Sequence, residues 1–251
     1  MLKGKHALVT GGGTGIGLAI AKALAENGAV VTITGRRGDV LKQAADGYPG
    51  LVARPMDVAN EAQVVEGIAA ATEAHGPIAI CVANAGIAQG RAIHKTDMEF
   101  WRNMMSINLD GAFLTIRESL NSMRELDWGR VIGISSIAGL KGLKGASAYT
   151  ASKHGLLGLI RGLSEDYIGG PITFNAICPG YVDTPIVEQN VASIKERTGR
   201  SGAEAMDMMV AANRHNRLIA PSEIAAAALW MCGPGSGSVN GQAIDISGGQ
   251  I

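Results

Sequence analysis

The sequence predicts an α/β fold, a parallel sheet with helices packed on both faces. Short β-rich runs alternate with longer amphipathic segments along the chain, the pattern of repeated βαβ units. The 35 glycines fall at turns and helix starts rather than in a repeat, which calls for many βα junctions and not for disorder. No linker-like stretch divides the 251 residues, so a single domain is expected over 1–251. Strands are predicted at His6–Thr10, Val30–Thr34, Leu51–Met56, Ile78–Ala83, Val131–Ser135, Thr173–Cys178 and Ala243–Ile246. Helices are predicted near 15–27, 37–46, 60–75, 97–126, 147–168 and 221–232, with a helical pair within 185–215.

The first strand runs directly into TGGGTGIG, Thr10 to Gly17, and then into a helix. Glycines at 11, 15 and 17 let the chain turn tightly and let backbone amides approach a pyrophosphate at the helix N-terminus, where the dipole favours anions. Any tight βα turn wants glycine, but one that opens the first βαβ unit points to a dinucleotide. The end of the second strand normally chooses between the two nicotinamide cofactors. It carries Thr34, Gly35, Arg36 and Arg37, with no carboxylate to meet a ribose hydroxyl. A guanidinium can clamp a 2′-phosphate, and cations at a helix start oppose its dipole unless a ligand holds them there; two solvated arginines are the alternative. NADP(H) is therefore the expected cofactor, with NAD(H) left possible because Thr14 is neutral where a second basic residue would strengthen the case.

Asp57 closes the third strand, where it can contact an adenine amino group or cap the following turn; Asn60 and Gln63 read as the capping pair of the next helix. The fourth strand ends in Asn84, Ala85 and Gly86, a small-residue turn that admits a ribose or is simply a βα turn. In the polar segment that follows, Arg91, His94 and Lys95 read as solvated. Asn108 stands on an apolar helical face within 97–126, so it is either a local kink with an ordered water or a functional polar group.

The stretch from Arg130 to Leu159 reads as strand, Gly-rich loop and helix, with Tyr149 and Lys153 on one helical face. Tyr–Lys pairs at this spacing are common on surfaces. A phenol ionises near pH ~10 and needs about three units of help, ~4 kcal/mol, to act as a base at neutral pH. A unit charge ~4 Å away at an effective dielectric near ~20 supplies roughly that much, so the lysine is expected to lower the Tyr149 pKa. Ser136 would hold a substrate oxygen beside the phenol.

The 22 basic and 22 acidic side chains cancel, so neither nucleic acid nor an anionic membrane is an expected partner. Cys81, Cys178 and Cys232 are far apart in apolar runs and read as reduced thiols of a cytoplasmic protein. No apolar run approaches the ~18 residues that span a bilayer, the amino-terminal stretch carries no apolar targeting segment, and no metal is expected.

As a set, TGGGTGIG, ANAG, the mid-helix Asn108, Ser136 thirteen positions before Tyr149, YTASK and PGYVDT resemble the short-chain dehydrogenases/reductases over essentially the whole chain. The resemblance implies a Rossmann-like, doubly wound sheet of seven parallel strands in the order 3-2-1-4-5-6-7. It also implies hydride transfer between a nicotinamide and a ketone or secondary alcohol. Tyr149 would be the acid/base, Lys153 would lower its pKa and bind the nicotinamide ribose, Ser136 would orient the substrate oxygen, and Asn108 would hold a water opening a proton relay through Lys153. Gly11, Gly15 and Gly17 would line the pyrophosphate, Arg36 would read the 2′-phosphate, Asp57 the adenine and Asn84 the adenine ribose. Pro179, Gly180, Val182 and Thr184 would flank the nicotinamide, and Thr14, Ile16, Val58 and Gly86 complete the cofactor-binding set.

Residues 185–217 stand where the family places a helical substrate lid. Ile186, Val187, Met206, Met208 and Met209 could wall the substrate, and Lys195, Arg197 and Arg200 could meet an anionic tail; an amphipathic helix pair would account for the same residues. Two branches are similar, the 3-hydroxybutyrate dehydrogenases and the ketoreductases of 3-oxoacyl or polyketide thioesters. The first grips a small carboxylate with Gln, His and Lys where this chain has Ala88, Ala138 and Ala146. The expectation is a ketoreductase of a larger apolar or thioester-linked ketone. An NAD-dependent secondary alcohol or 3-hydroxy acid dehydrogenase is the alternative, and a non-catalytic nucleotide-binding scaffold a third reading. A homotetramer is implied, built through helices 97–126 and 147–168 and the carboxyl end.

Overall fold

The computed structural model describes residues 1–185, 187, 191–192, 194–195 and 199–251. Its strands are β1 His6–Thr10, β2 Val30–Gly35, β3 Leu51–Pro55, β4 Ile78–Ala83, β5 Gly129–Ile134, β6 Ile172–Pro179 and β7 Ala243–Ile246. Its helices are α1 Gly15–Glu26, α2 Gly38–Asp46, α3 Glu61–His75, α4 Met98–Met105, α5 Gly111–Met123, α6 Ser147–Asp166, α7 Gly202–Ala212 and α8 Pro221–Met231. All seven strands pair in parallel, in the order β3-β2-β1-β4-β5-β6-β7, as the resemblance implied. Among the described residues no helix is long and apolar enough to cross a membrane.

The period of two along a strand divides the core between the sheet's faces. Ala7 and Val9 of β1 point into a cluster with Ile20 and Leu24 of α1 and Ile224 and Met231 of α8. Leu8, between them, joins the opposite cluster with Val64 and Ile68 of α3 and Leu156 and Ile160 of α6. These side chains are almost wholly buried, and apart from Ala7 each is worth about 1.5–3 kcal/mol of hydrophobic stabilisation. β1 and β4 are neighbours, yet the helix after β1 covers one face and the helix before β4 covers the other. That reversal opens a crevice at the carboxyl ends of the strands, where ligands of such sheets bind.

The predicted helix 97–126 is a correction: a π turn at Ser106–Asp110 separates α4 from α5. A π turn inserts one residue into the helical ladder and is held by contacts elsewhere, here those of Asn108. Of the helical pair expected within 185–215, α7 is seen; Ile186 and Arg197 lie outside the described residues.

Candidate active site

The glycine turn after β1 is folded by backbone need. Gly11 and Gly15 adopt φ of +64° and +54°, a region costly for residues with a Cβ. A Cβ on Gly15 would sit 3.2 Å from the Thr184 methyl, so Thr184 closes against the start of α1. Thr14 at the N-cap offers α1 no side-chain cap and the first turn holds no acidic residue, so the positive end of the helix dipole is left for an anion. Gly17 answers a packing need of the turn itself. It is buried inward, where a Cβ would lie 2.4 Å from the Gly11 carbonyl oxygen and 2.5 Å from Asn84 Nδ2. Asn84 likewise turns under the loop: its Nδ2 donates to the Thr10 carbonyl at 2.8 Å, and its backbone N–H donates to Thr10 Oγ1 at 3.0 Å. Both residues brace the turn from within.

One cavity is walled by Gly11, Thr14, Arg36, Asp57, Val58 and Gly86, with Thr34 and Arg37 beside them. Asp57 is the one carboxylate among these described lining residues, and it follows β3 rather than β2. Its Oδ1 accepts the Ala59 N–H at 3.0 Å, so one oxygen caps its own turn. The capping pair differs from expectation: Asn60 Oδ1 accepts the Gln63 N–H at 3.1 Å, but the Gln63 side chain accepts from the Asp57 N–H at 2.9 Å instead of reaching back to Asn60. Thr34 Oγ1 is buried with no hydrogen-bond partner among the described residues. An orphaned hydroxyl at this spot suits a polar ligand.

A second cavity brings together Ile16, Ser136, Tyr149, Pro179, Gly180, Val182 and Thr184. Ser136 Oγ accepts the Ala138 N–H at 3.1 Å, which leaves its own proton to donate. Burial pushes the Tyr149 phenol up, the hydrogen bond from Ser136 pulls it back, and nearby Tyr181 and Cys178 add to the rise. Lys153 does not bring it down, contrary to the sequence-based expectation. Its Nζ lies on the same helical face, 5.9 Å from the Tyr149 ring centroid, but donates to the Ile134 carbonyl at 2.9 Å. Burial also weakens the lysine's own charge, pushing it down to about 8. The phenol is therefore protonated at neutral pH.

Asn108 is buried and fully engaged. Oδ1 accepts the Ile87 N–H at 2.8 Å, while Nδ2 donates to the Ile87 carbonyl at 2.9 Å and to Ser152 Oγ at 3.1 Å. A Cβ on Gly86 would meet both Asn108 Oδ1 at 3.2 Å and Lys153 Nζ at 3.5 Å, so the two groups converge where Gly86 lets the chain pass.

Sequence reasoning missed Gln89, Leu143, Lys144 and Tyr181, which line the second cavity. Tyr181 alone carried a signal, its place inside PGYVDT. From the lid, Val187 and Ile194 line the cavity, whereas Met209 is packed in the core and Met208 is exposed. Lys195 and Arg200 are exposed.

The model of the short chain dehydrogenase family matches residues 5–195. The chain is 31% identical to a D-beta-hydroxybutyrate dehydrogenase of Rhizobium meliloti, over 98% of each chain. It is 34% identical to a putative ketoacyl reductase of Streptomyces coelicolor, over 97% of this chain and 95% of that one. A crystal structure of a variant actinorhodin polyketide ketoreductase with NADPH superposes with a TM-score of 0.95 at 32% identity, covering 100% of this chain and 99% of the other.

Proposed function

The chain belongs to the short-chain dehydrogenases, and on that footing we propose that it is an NADP(H)-dependent ketoreductase that reduces a ketone to a secondary alcohol. The observation that carries this reading is the placement of Tyr149 beside Ser136 in one cavity with Pro179, Gly180, Val182 and Thr184, where a ketone oxygen would meet both hydroxyls.

The residues of the crevice fit a dinucleotide. The glycine cradle, the uncapped start of α1 and the orphaned Thr34 hydroxyl would receive its phosphates and adenosine. Arg36, with Arg37 beside it, would clamp the 2′-phosphate, Asp57 and Val58 would meet the adenine, and Lys153 would bind the nicotinamide ribose. Pro179, Gly180, Val182 and Thr184 would flank the nicotinamide. When bound, the cofactor supplies the hydride. As charge develops on the ketone oxygen, Ser136 donates a hydrogen bond to it and Tyr149 delivers its proton, interactions stronger in the transition state than in the ground state. Lys153, pushed down to about 8, can yield a proton near neutral pH and restore the phenol, with Asn108 holding the chain around it.

The substrate side is largely apolar at Leu143, Ala146, Val187 and Ile194, which supports a 3-oxoacyl or polyketide-like thioester. A second reading, an NAD-dependent 3-hydroxy acid dehydrogenase, is favoured by Gln89 and Lys144. These polar groups line the same cavity and could meet a small carboxylate, although Ala88 and Ala146 leave the expected positions bare. A single domain with a lid near 185–217 belongs to the main reading. So do a cytoplasmic location, supported by three buried free thiols, and a homotetramer, supported by exposed Met98 and Phe113 on α4 and α5.

Initial rates with NADPH and NADH over 3-oxoacyl thioesters, cyclic ketones and sugar ketones test the proposal. Preference for NADPH with turnover of a thioester is expected. A clear preference for NADH would overturn the role of Arg36, and cofactor binding with no turnover of any ketone would favour a scaffold.

A further inference from the structure

Asn213, the residue that ends α7, is completely buried, and its side-chain amide is saturated. Oδ1 accepts the backbone N–H of Tyr181 at 3.1 Å and an Nε2 proton of Gln250 at 2.7 Å. Nδ2 donates to the carbonyls of Tyr181 at 2.9 Å and Arg217 at 2.8 Å. The amide thus grips Tyr181 through both its backbone groups, as a neighbouring strand would. The packing leaves no slack: a Cβ on Gly180 would lie 2.7 Å from Asn213 Oδ1 and 2.9 Å from Gln250 Nε2.

Gln250 is itself tied at two further points. Its N–H donates to Ser247 Oγ at 3.1 Å, and its carbonyl accepts from Lys141 Nζ at 2.6 Å. Lys141 follows the short helical turn Ile137–Gly139 that Ser136 begins, and its own N–H donates to the Ile137 carbonyl at 2.9 Å. Gln250, four residues past the end of β7, therefore connects both segments that build the substrate cavity, the turn after Ser136 and the loop that presents Gly180 and Tyr181.

We propose that Gln250 is a positioning residue for the reaction. Its side chain, through Asn213, fixes Tyr181 as a wall of the cavity holding Tyr149, while its carbonyl, through Lys141, fixes the turn behind Ser136. The inference rests on the ketoreductase reading for its catalytic consequence but not for the cross-tie itself. A donor lost from Asn213 Oδ1 loosens the wall, and a misplacement of about 1 Å remote from the chemistry can slow a reaction by ~10²-fold.

The test compares Gln250→Met, which keeps length and loses the donor, with Gln250→Lys, which restores a donor. Hydrogen exchange of the segment 180–184 is read in the protein without ligands, and kcat and KM in the complete assay. For Gln250→Met the expectation is exchange of the Tyr181 amide faster by about tenfold or more and a kcat lower by a similar factor, with the KM for NADPH within about twofold. Gln250→Lys should recover most of both. A purely packing role predicts that Gln250→Met behaves as the wild type, and that result overturns the proposal. Should Gln250→Met fail to fold, Lys141→Met decides through the other tie: faster exchange in the turn 137–141 with a lower kcat is expected, and wild-type exchange there with wild-type kcat overturns the proposal. If the wild type reduces no ketone, the ketoreductase reading falls, and the exchange data alone decide whether Gln250 holds Tyr181.

Discussion

The side chain of Asn108 and the backbone of Ile87 are hydrogen-bonded in both directions, donor to acceptor at 2.9 Å and acceptor to donor at 2.8 Å. The π turn that carries Asn108 is thereby fastened to the chain leaving β4, beside Lys153. Asn108→Ala leaves both Ile87 groups without their partner in a half-buried place. At ~1 kcal/mol or more for each, the variant should lose roughly 2–3 kcal/mol in urea unfolding. Asn108→Asp keeps the acceptor but buries a carboxylate against the Ile87 carbonyl, so it should lose at least as much at neutral pH. Equal stability of Asn108→Ala and wild type would show that the pairing is incidental.

At Gly17 the conflict is between backbones. A methyl group there meets the Gly11 oxygen at 2.4 Å and Asn84 Nδ2 at 2.5 Å, so α1 must move away from β1 and β4. Gly17→Ala should cost about 1–3 kcal/mol and weaken NADPH binding together with stability. Fluorescence titration and thermal melting of one preparation read both; tight binding at unchanged melting temperature would contradict the packing argument.

Arg36 is expected to act on one cofactor only. A charge-assisted contact is worth ~1.5–3 kcal/mol, so Arg36→Ala should raise the KM for NADPH roughly tenfold to a hundredfold and leave that for NADH unchanged. Parallel loss with both cofactors would place Arg36 elsewhere in the mechanism.

Lys153 gives a stability signature independent of turnover. Its folded pKa is about 8 against the ordinary 10.5, so between those values the unfolded chain binds more protons and wild-type stability rises with pH. Below about 8 the buried cation is a burden on the folded state. Lys153→Met should therefore be inactive yet no less stable than wild type at pH 7, and its advantage should shrink towards pH 10. Urea unfolding of both proteins at the two pH values measures this; identical pH slopes would refute it.

Much of this was legible in the chain because βα turns leave local marks. His6–Thr10, Ile78–Ala83 and Ala243–Ile246 are strands with the predicted limits, since apolar runs bounded by turn residues need no tertiary knowledge. What escaped depends on contacts between distant segments. The π turn inside 97–126 exists because Asn108 binds Ile87, 21 residues away. The bracing of the glycine turn by Asn84 and Gly17 likewise joins segments about 70 residues apart, which spacing along the chain does not show. The spacing of Tyr149 and Lys153 gave their shared face correctly but not the sign of the phenol's shift. Spacing carries no information on burial, or on the Ile134 carbonyl that occupies the ammonium.

The central claim is that Tyr149, protonated and beside Ser136 in the second cavity, hands its proton to the oxygen of a ketone. The direct measurement is NADPH oxidation with the best ketone of the panel, wild type against Tyr149→Phe, alongside NADPH affinity. General-acid catalysis is worth about 10²–10⁴-fold, so kcat should fall by that order while NADPH binding stays intact. A Tyr149→Phe protein that reduces the ketone at the wild-type rate would contradict the account.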